Sequence, residues 1–184
     1  MTNPLSPLFQ AHDRLFAAAE TRLAPLLPLL ARLTFASVLL LYFWSSARTK
    51  LGDGLFGFLI PAEGAYFQIF PRVGETVGFD ASQLGLYHTL VVVAGMWAEF
   101  LLPLMIVVGL MTRLAALGMA GFIVVQSLTD VIGHGIGGDD LGRWFDAASG
   151  SLILDQRALW LLLLAVLVIR GGGALALDRL FKRV

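Results

Sequence analysis

The sequence predicts an all-α membrane protein, built as a four-transmembrane-helix bundle with long outer loops and short interfacial helices. Three observations support this fold class. Hydrophobic residues make up 58% of the chain and charged residues only 14%, against roughly 25% charged residues in a soluble domain. Four apolar stretches approach the ~20 residues that a helix needs to cross a bilayer. None of them shows the two-residue alternation of a membrane β-barrel. We therefore treat residues 1–184 as a single membrane domain.

Each apolar stretch is expected to be helical, because lipid offers backbone polar groups no hydrogen-bond partners. The second and third stretches are joined by the short Met111–Thr112–Arg113 turn, which makes them an antiparallel hairpin. Two flanking segments, residues 9–23 and 174–184, either lie on the bilayer surface as amphipathic helices or extend the first and fourth spans. The predicted spans are residues 26–46, 90–110, 114–131 and 155–170.

The distribution of charge predicts the orientation. On the side of the two termini, eight basic residues flank the spans against three acidic ones, whereas five basic residues meet nine acidic ones on the other side. The more basic side is normally cytoplasmic. We therefore expect a bacterial inner-membrane protein with both termini in the cytoplasm and the loops at about 47–87 and 132–154 outside. The eight basic residues are Arg14, Arg22, Arg32, Arg113, Arg170, Arg179, Lys182 and Arg183.

Glu99, inside the second span, is the strongest functional candidate. An ionisable side chain at that depth costs ~3 kcal/mol, so it normally faces the bundle interior and has a partner. Pro103, four residues later, is expected to kink the span near the carboxylate. Glu99 is then either a proton relay or polar anchor for a ligand headgroup, or part of a structural hydrogen bond or ion pair between helices.

Four other polar residues are predicted to share a site with Glu99. His88 precedes it by eleven residues, close to three turns at ~3.6 residues per turn, which places both on one helix face. Gln126, Asp130 and His134 are spaced four apart on the third span and form one polar stripe. Because the two spans form a hairpin, these faces can meet in a polar site that opens outward.

Four basic residues near span ends have separate expected roles. Arg48 and Lys50 follow the first span on the outer side, where basic residues are disfavoured. This indicates a local partner, either acids of the outer loops or an anionic ligand. Alternatively, one of the two could close the outer end of the polar site as a counter-charge. Arg32 and Arg113, on the opposite side, are expected to be structural and to anchor at the level of the lipid phosphates.

Four hypotheses for the polar site remain open at this point. Asp130 and His134 could bind a metal with His88 as third ligand, or His88 and His134 could be the axial ligands of a haem. The site could hydrogen-bond a quinone-like headgroup under the aromatic-rich outer loops, which we favour over haem. Finally, these side chains could simply meet water at helix ends. The chain has no cysteine and no evident nucleophile–base pair, so we do not expect a complete enzyme.

An ordered set of short signals resembles the DoxX family of small four-helix membrane proteins. It comprises Arg32 in ARLTFASVLL, Lys50-Leu51 after the first span, and Glu99 in AEFLLPLMIVVGLMTRLAALGMAGF, which includes Gly109, Thr112 and Arg113. The segment from Asp130 to Leu180, with DVIGHG and DQRALW, is similar to a subset of that family.

The resemblance implies a fold more than a reaction. DoxX-like proteins resemble the small membrane subunit of thiosulfate:quinone oxidoreductase, and others are associated with oxidative-stress or metal-stress systems. The resemblance therefore implies a redox-associated subunit that binds a quinone-like or haem ligand. It also implies a further redox or periplasmic subunit as a partner. The alternative is a non-catalytic accessory or transport protein of a metal- or oxidative-stress system. The lipid bilayer is the first partner, an oligomer is compatible with this class, and the formal net charge of zero gives no indication of nucleic-acid binding.

Overall fold

Four helices in the computed structural model, which describes residues 6–181, are long and apolar enough to cross a membrane. Residues 6–181 contain helices and connecting segments but no β-strand. An amino-terminal helix, Ser6–Leu23, passes through the 3₁₀ turn Ala24–Leu26 into span 1. Span 1 consists of Leu27–Phe35, a π-helical segment Ala36–Leu40, and Leu41–Lys50. Span 2 is the single helix Leu86–Val108, and span 3 consists of Thr112–Leu128 and π-helical Thr129–Gly133. Span 4 begins with π-helical Leu152–Gln156 and continues as Arg157–Arg170.

The four predicted spans are confirmed, but their ends differ. Span 1 continues to Lys50, so Arg48 and Lys50 form its last turn instead of following it. The helix persists through these polar residues because the Lys50 side chain is buried inside the bundle. Residues 9–23 are helical and lead directly into span 1, as in the second of the two alternatives given for this segment. The tail instead leaves span 4 and forms a separate short helix, Asp178–Phe181; Lys182 and Arg183 lie outside the described residues.

The spans form a closed ring in which span 1 packs against spans 2 and 4, and span 3 packs between them. The apolar core lies in the half of the bundle nearer the turn between spans 2 and 3. Small side chains, Ala115 and Ala116, let span 3 approach its neighbours closely. The larger buried side chains of the core are Phe35, Leu39, Phe43, Ile106, Met119, Ile123, Leu164 and Leu167.

The end of the bundle that carries the long loops is here called the loop end. Residues 51–85 fold back over it and include the helices Glu63–Ile69 and Pro71–Thr76. The Tyr66 hydroxyl contacts Thr89 Oγ1 at 3.1 Å, and His134 Nε2 donates to the Gln68 carbonyl at 2.9 Å. These contacts fix the loop against spans 2 and 3, so it forms one wall of the interior.

The opposite end, called the turn end, is organised by Arg32. This side chain is only 6% exposed and donates to the carbonyls of Ile106 (3.0 Å), Val107 (2.6 Å) and Gly172 (2.9 Å). The prediction that Arg32 anchors at the lipid phosphates is therefore wrong, because its donors satisfy open carbonyls at the end of span 2 and just after span 4.

The other two residues expected to be structural lie at this end and within span 2. Arg113 is exposed in the first turn of span 3 and donates to the Ile169 carbonyl at 3.1 Å. Pro103 is buried inside span 2, and the helix continues through it to Val108.

Candidate functional site

The first polar centre inside the bundle is an ion pair between spans 1 and 2. Lys50 Nζ lies 2.9 Å from Glu99 Oε2 and 3.1 Å from Oε1, and Glu99 is only 2% exposed. The Ser46 hydroxyl donates to Glu99 Oε1 at 3.0 Å, and Lys50 also donates to Ser46 Oγ at 2.8 Å. The carboxylate therefore accepts three charge-assisted or hydroxyl hydrogen bonds, which offset the cost of burying it.

A second ion pair joins spans 3 and 4. Arg157 is 2% exposed; its Nη2 donates to Asp130 Oδ2 at 2.6 Å and its Nη1 to Ser127 Oγ at 3.0 Å. Asp130 lies within the π-helical segment of span 3, and Arg157 follows that of span 4. Such segments interrupt regular helical spacing and are frequent at functional sites.

A cavity of about 490 Å³ lies toward the loop end and is bordered by members of both ion pairs. This volume falls within the range of small-molecule sites, which are mostly apolar with a few convergent polar groups. Ala94, Gly95 and Ala98 of span 2 create the space, because they have little or no side chain. The other lining residues are Ser46, Lys50, Gln68, Ile69, Val91, Glu99, Phe122, Val125, Gln126, Thr129, Asp130 and His134.

The structure brings together five of the seven residues predicted to bind a ligand, namely Lys50, Glu99, Gln126, Asp130 and His134. Lys50 does more than close the outer end of the site, since it is the direct partner of Glu99. The other two lie elsewhere. Arg48 is exposed on the outer surface of span 1. His88 packs against Phe70, with ring centroids 4.9 Å apart, and does not line the cavity.

The metal hypothesis for His88, Asp130 and His134 is not supported by the geometry. Among residues 6–181, no three histidine or acidic side chains form a group that could hold a metal ion. The physical reason is that each has another contact. Asp130 accepts from Arg157, His134 Nε2 donates to the Gln68 carbonyl, and His88 lies against an aromatic ring.

Four further residues contribute to these centres and were not predicted from the sequence. Tyr42 accepts a hydrogen bond from Gln126 Nε2 at 3.2 Å, and Ser46, Ser127 and Arg157 complete the two ion-paired centres. A signal for two of them was present, because Tyr42, Ser46 and Lys50 are spaced four apart and form a polar stripe on span 1. No local pattern marked Arg157, which stands at the polar start of span 4 like an ordinary flanking charge.

The arrangement supplies both hydrogen-bond acceptors and fixed charge to a mostly apolar chamber. Gln126 Oε1 is buried and accepts no hydrogen bond from residues 6–181, while its amide nitrogen is held by Tyr42. Glu99 and Asp130 line the same cavity. A ligand with a flat or aliphatic body and one or more hydroxyl groups would find both its apolar and its polar partners here.

Comparison with known proteins matched the sequence model of the DoxX family over residues 27–135. That range covers spans 1, 2 and 3 with the Glu99 and Asp130 centres, and span 4 with Arg157 lies beyond it. No curated protein and no solved structure matched the chain.

Proposed function

The chain belongs to the DoxX family of membrane proteins, and from this premise we propose that its cavity binds the headgroup of a quinone-like ligand. The protein is a multi-pass membrane protein. In the proposed function it lies in a bacterial inner membrane with both termini in the cytoplasm, and serves as the ligand-binding subunit of a redox system. A further redox or periplasmic subunit would then carry the electron transfer.

One observation carries the proposal: Lys50, Glu99 and Gln126, whose side-chain oxygen has no hydrogen-bond partner within residues 6–181, line the same cavity of about 490 Å³. An ionisable pair inside a membrane bundle is costly, and by default it indicates a functional site. The chamber walls, including Ile69, Val91 and Val125, are apolar. They suit a ring with an isoprenoid tail better than a small polar metabolite.

The polarity of the site favours the reduced, hydroxyl-bearing form of such a ligand. The oxygens of Glu99, Asp130 and Gln126 accept hydrogen bonds, whereas the protons of Lys50 are directed at Ser46 and Glu99. A hydroquinone hydroxyl can donate to these acceptors, and a quinone carbonyl cannot. His88 lies outside the cavity that contains His134, and this favours a quinone-like ligand over a haem held by both histidines.

The test is titration of the purified full-length protein, in mild detergent, with a short-tail benzoquinol and the corresponding quinone. We expect binding of the quinol, and loss of about tenfold or more in affinity in Glu99→Gln, the range expected when a hydrogen bond to a charged group is lost. Gly95→Leu should abolish binding by filling the chamber, since a side chain there points toward Ile69.

Gly121→Leu is the matched control, because a side chain at this position of span 3 meets open space. Its affinity for the quinol should equal that of the original protein. A protein that binds neither form and yields no quinone on solvent extraction would contradict the proposal. That result would favour the non-catalytic accessory or transport role in a metal- or oxidative-stress system.

A further inference from the structure

A second cavity, of about 910 Å³, lies at the turn end, remote from the polar site. The start of span 3, the end of span 4, the amino-terminal helix and the tail all border it. Span 3 begins and span 4 ends here. In a bilayer crossed by these helices, the cavity would lie at the edge of the apolar layer, near the lipid phosphates.

Three arginines, Arg113, Arg170 and Arg179, line this cavity. Two of them are fixed by the backbone: Arg113 donates to the Ile169 carbonyl at 3.1 Å, and Arg179 to the Ala174 carbonyl at 3.4 Å. Arg113 also lies over the turn that follows span 4. A side chain at Gly171, where φ is +76°, would meet Arg113 Nε at 3.3 Å. Glycine thus allows the guanidinium to approach the backbone closely.

The balance of charge around the cavity is positive. None of the ion pairs within residues 6–181 involves these three arginines. Of the two acidic residues at the cavity, Asp178 is committed to span 3. Its carboxylate accepts from the Met111 amide (2.6 Å), the Thr112 amide (2.9 Å) and the Thr112 hydroxyl (2.7 Å). Glu20, on the exposed amino-terminal helix, is the other.

We propose that this cavity is a binding site for a phosphate-bearing anion, held by Arg113, Arg170 and Arg179. Guanidinium groups match phosphate oxygens in geometry as well as in charge. Basic pockets between spanning helices at the membrane surface recognise anionic lipid headgroups. The same chemistry would serve a soluble phosphate, and the experiment below distinguishes these two sources. This site is independent of the quinone-like ligand.

The experiment is native mass spectrometry of the purified full-length protein with equal amounts of phosphatidylglycerol and phosphatidylcholine. We expect preferential retention of phosphatidylglycerol. Each of Arg113→Gln and Arg170→Gln should weaken it about fivefold, the contribution of one basic residue near an anionic membrane surface. Arg170→Lys should lose less, because it keeps the charge. Arg143→Gln, an exposed arginine in the loop between spans 3 and 4, should bind like the original protein.

A parallel titration of lipid-free protein with inorganic phosphate, followed by phosphorus NMR, identifies the source of the anion. Phosphate binding that depends on the same arginines, without preference between the lipids, supports the site and assigns it to a soluble ligand. Equal retention of both lipids together with no phosphate binding would overturn the proposal. Equal losses in Arg143→Gln and the cavity variants would also overturn it.

Discussion

At the scale of single residues, the buried charges of Lys50 and Glu99 compensate each other. Neither Lys50 nor Glu99 is tolerable alone in the bundle, because an isolated charge in an apolar interior is strongly disfavoured. Their contact at 2.9 Å, completed by Ser46, offsets part of that cost. Arg157 and Asp130 form an equivalent compensating ion pair between spans 3 and 4. The two pairs therefore allow four charged residues inside a membrane domain.

Removing one member of the Lys50–Glu99 pair should destabilise the protein more than removing both. We expect Lys50→Met and Glu99→Gln each to lower the free energy of unfolding by roughly 3 kcal/mol, because each leaves an uncompensated buried group. The double variant should recover at least half of the summed loss. Equilibrium unfolding in mixed detergent micelles measures this cycle, with Arg48→Met, an exposed position on the same helix, as control. Strictly additive losses would contradict direct pairing.

At the scale of helices, the turn between spans 2 and 3 is fixed by a glycine and two capping side chains. Gly109 adopts φ +76°, the Leu110 amide donates to the Met105 carbonyl at 2.9 Å, and the Gly109 amide to Ile106 at 3.2 Å. This pattern is a Schellman motif. Arg32 satisfies the last carbonyls of span 2, while the Asp178 carboxylate caps the first amides of span 3. The glycine and threonine that carry the family resemblance thus have a structural explanation.

Gly109→Ala should disrupt this end of the bundle. The new methyl group would lie 2.6 Å from Ala176 Cβ and 2.9 Å from Arg32 Cζ, and alanine disfavours a positive φ. We expect a loss of stability of at least about 1 kcal/mol, together with faster amide exchange in the tail, since conformational strain and lost packing add. Hydrogen–deuterium exchange measures both. Gly64→Ala is the control, because its side chain would meet open space at an ordinary φ. Unchanged exchange at Leu177 and Asp178 would contradict this account.

At the scale of the whole molecule, the bundle is divided into an apolar half and a polar half. The buried aromatic and aliphatic side chains lie toward the turn end, whereas both ion pairs and the cavity of about 490 Å³ lie toward the loop end. A rigid apolar half can hold the four helices in place while the polar half keeps an open chamber. This division is compatible with the proposed function, in which a ligand enters the chamber from one side.

The orientation proposed from charge can be measured directly, because the chain has no cysteine. Single cysteines placed at Ala148, in the exposed loop between spans 3 and 4, and at Ala174, exposed at the turn end, report the two sides. In intact bacterial cells, a membrane-impermeant maleimide should label Ala148→Cys and should label Ala174→Cys only after permeabilisation. This follows from the excess of basic residues at the turn end. The reverse pattern would show that the loops face the cytoplasm.

The four spans, the hairpin of spans 2 and 3, and the inward position of Glu99 could be predicted from the sequence, since each depends on composition within one segment. The stripe of Gln126, Asp130 and His134 was also readable, because regular spacing places residues on one helix face. Hydropathy and spacing carry no information about how a helix is rotated against its neighbours or which side chain it meets.

The partners of these side chains follow from the packing of the four helices. It paired Glu99 with Lys50, forty-nine positions away in the sequence, placed Arg157 against Asp130, and turned His88 toward Phe70. In the same way, Arg32 donates hydrogen bonds to backbone carbonyls and does not reach out to lipid phosphates. The π-helical segments that contain Asp130 and precede Arg157 also interrupt the regular helical spacing. Partner choice depends on the packing of four helices together, and no single segment encodes it.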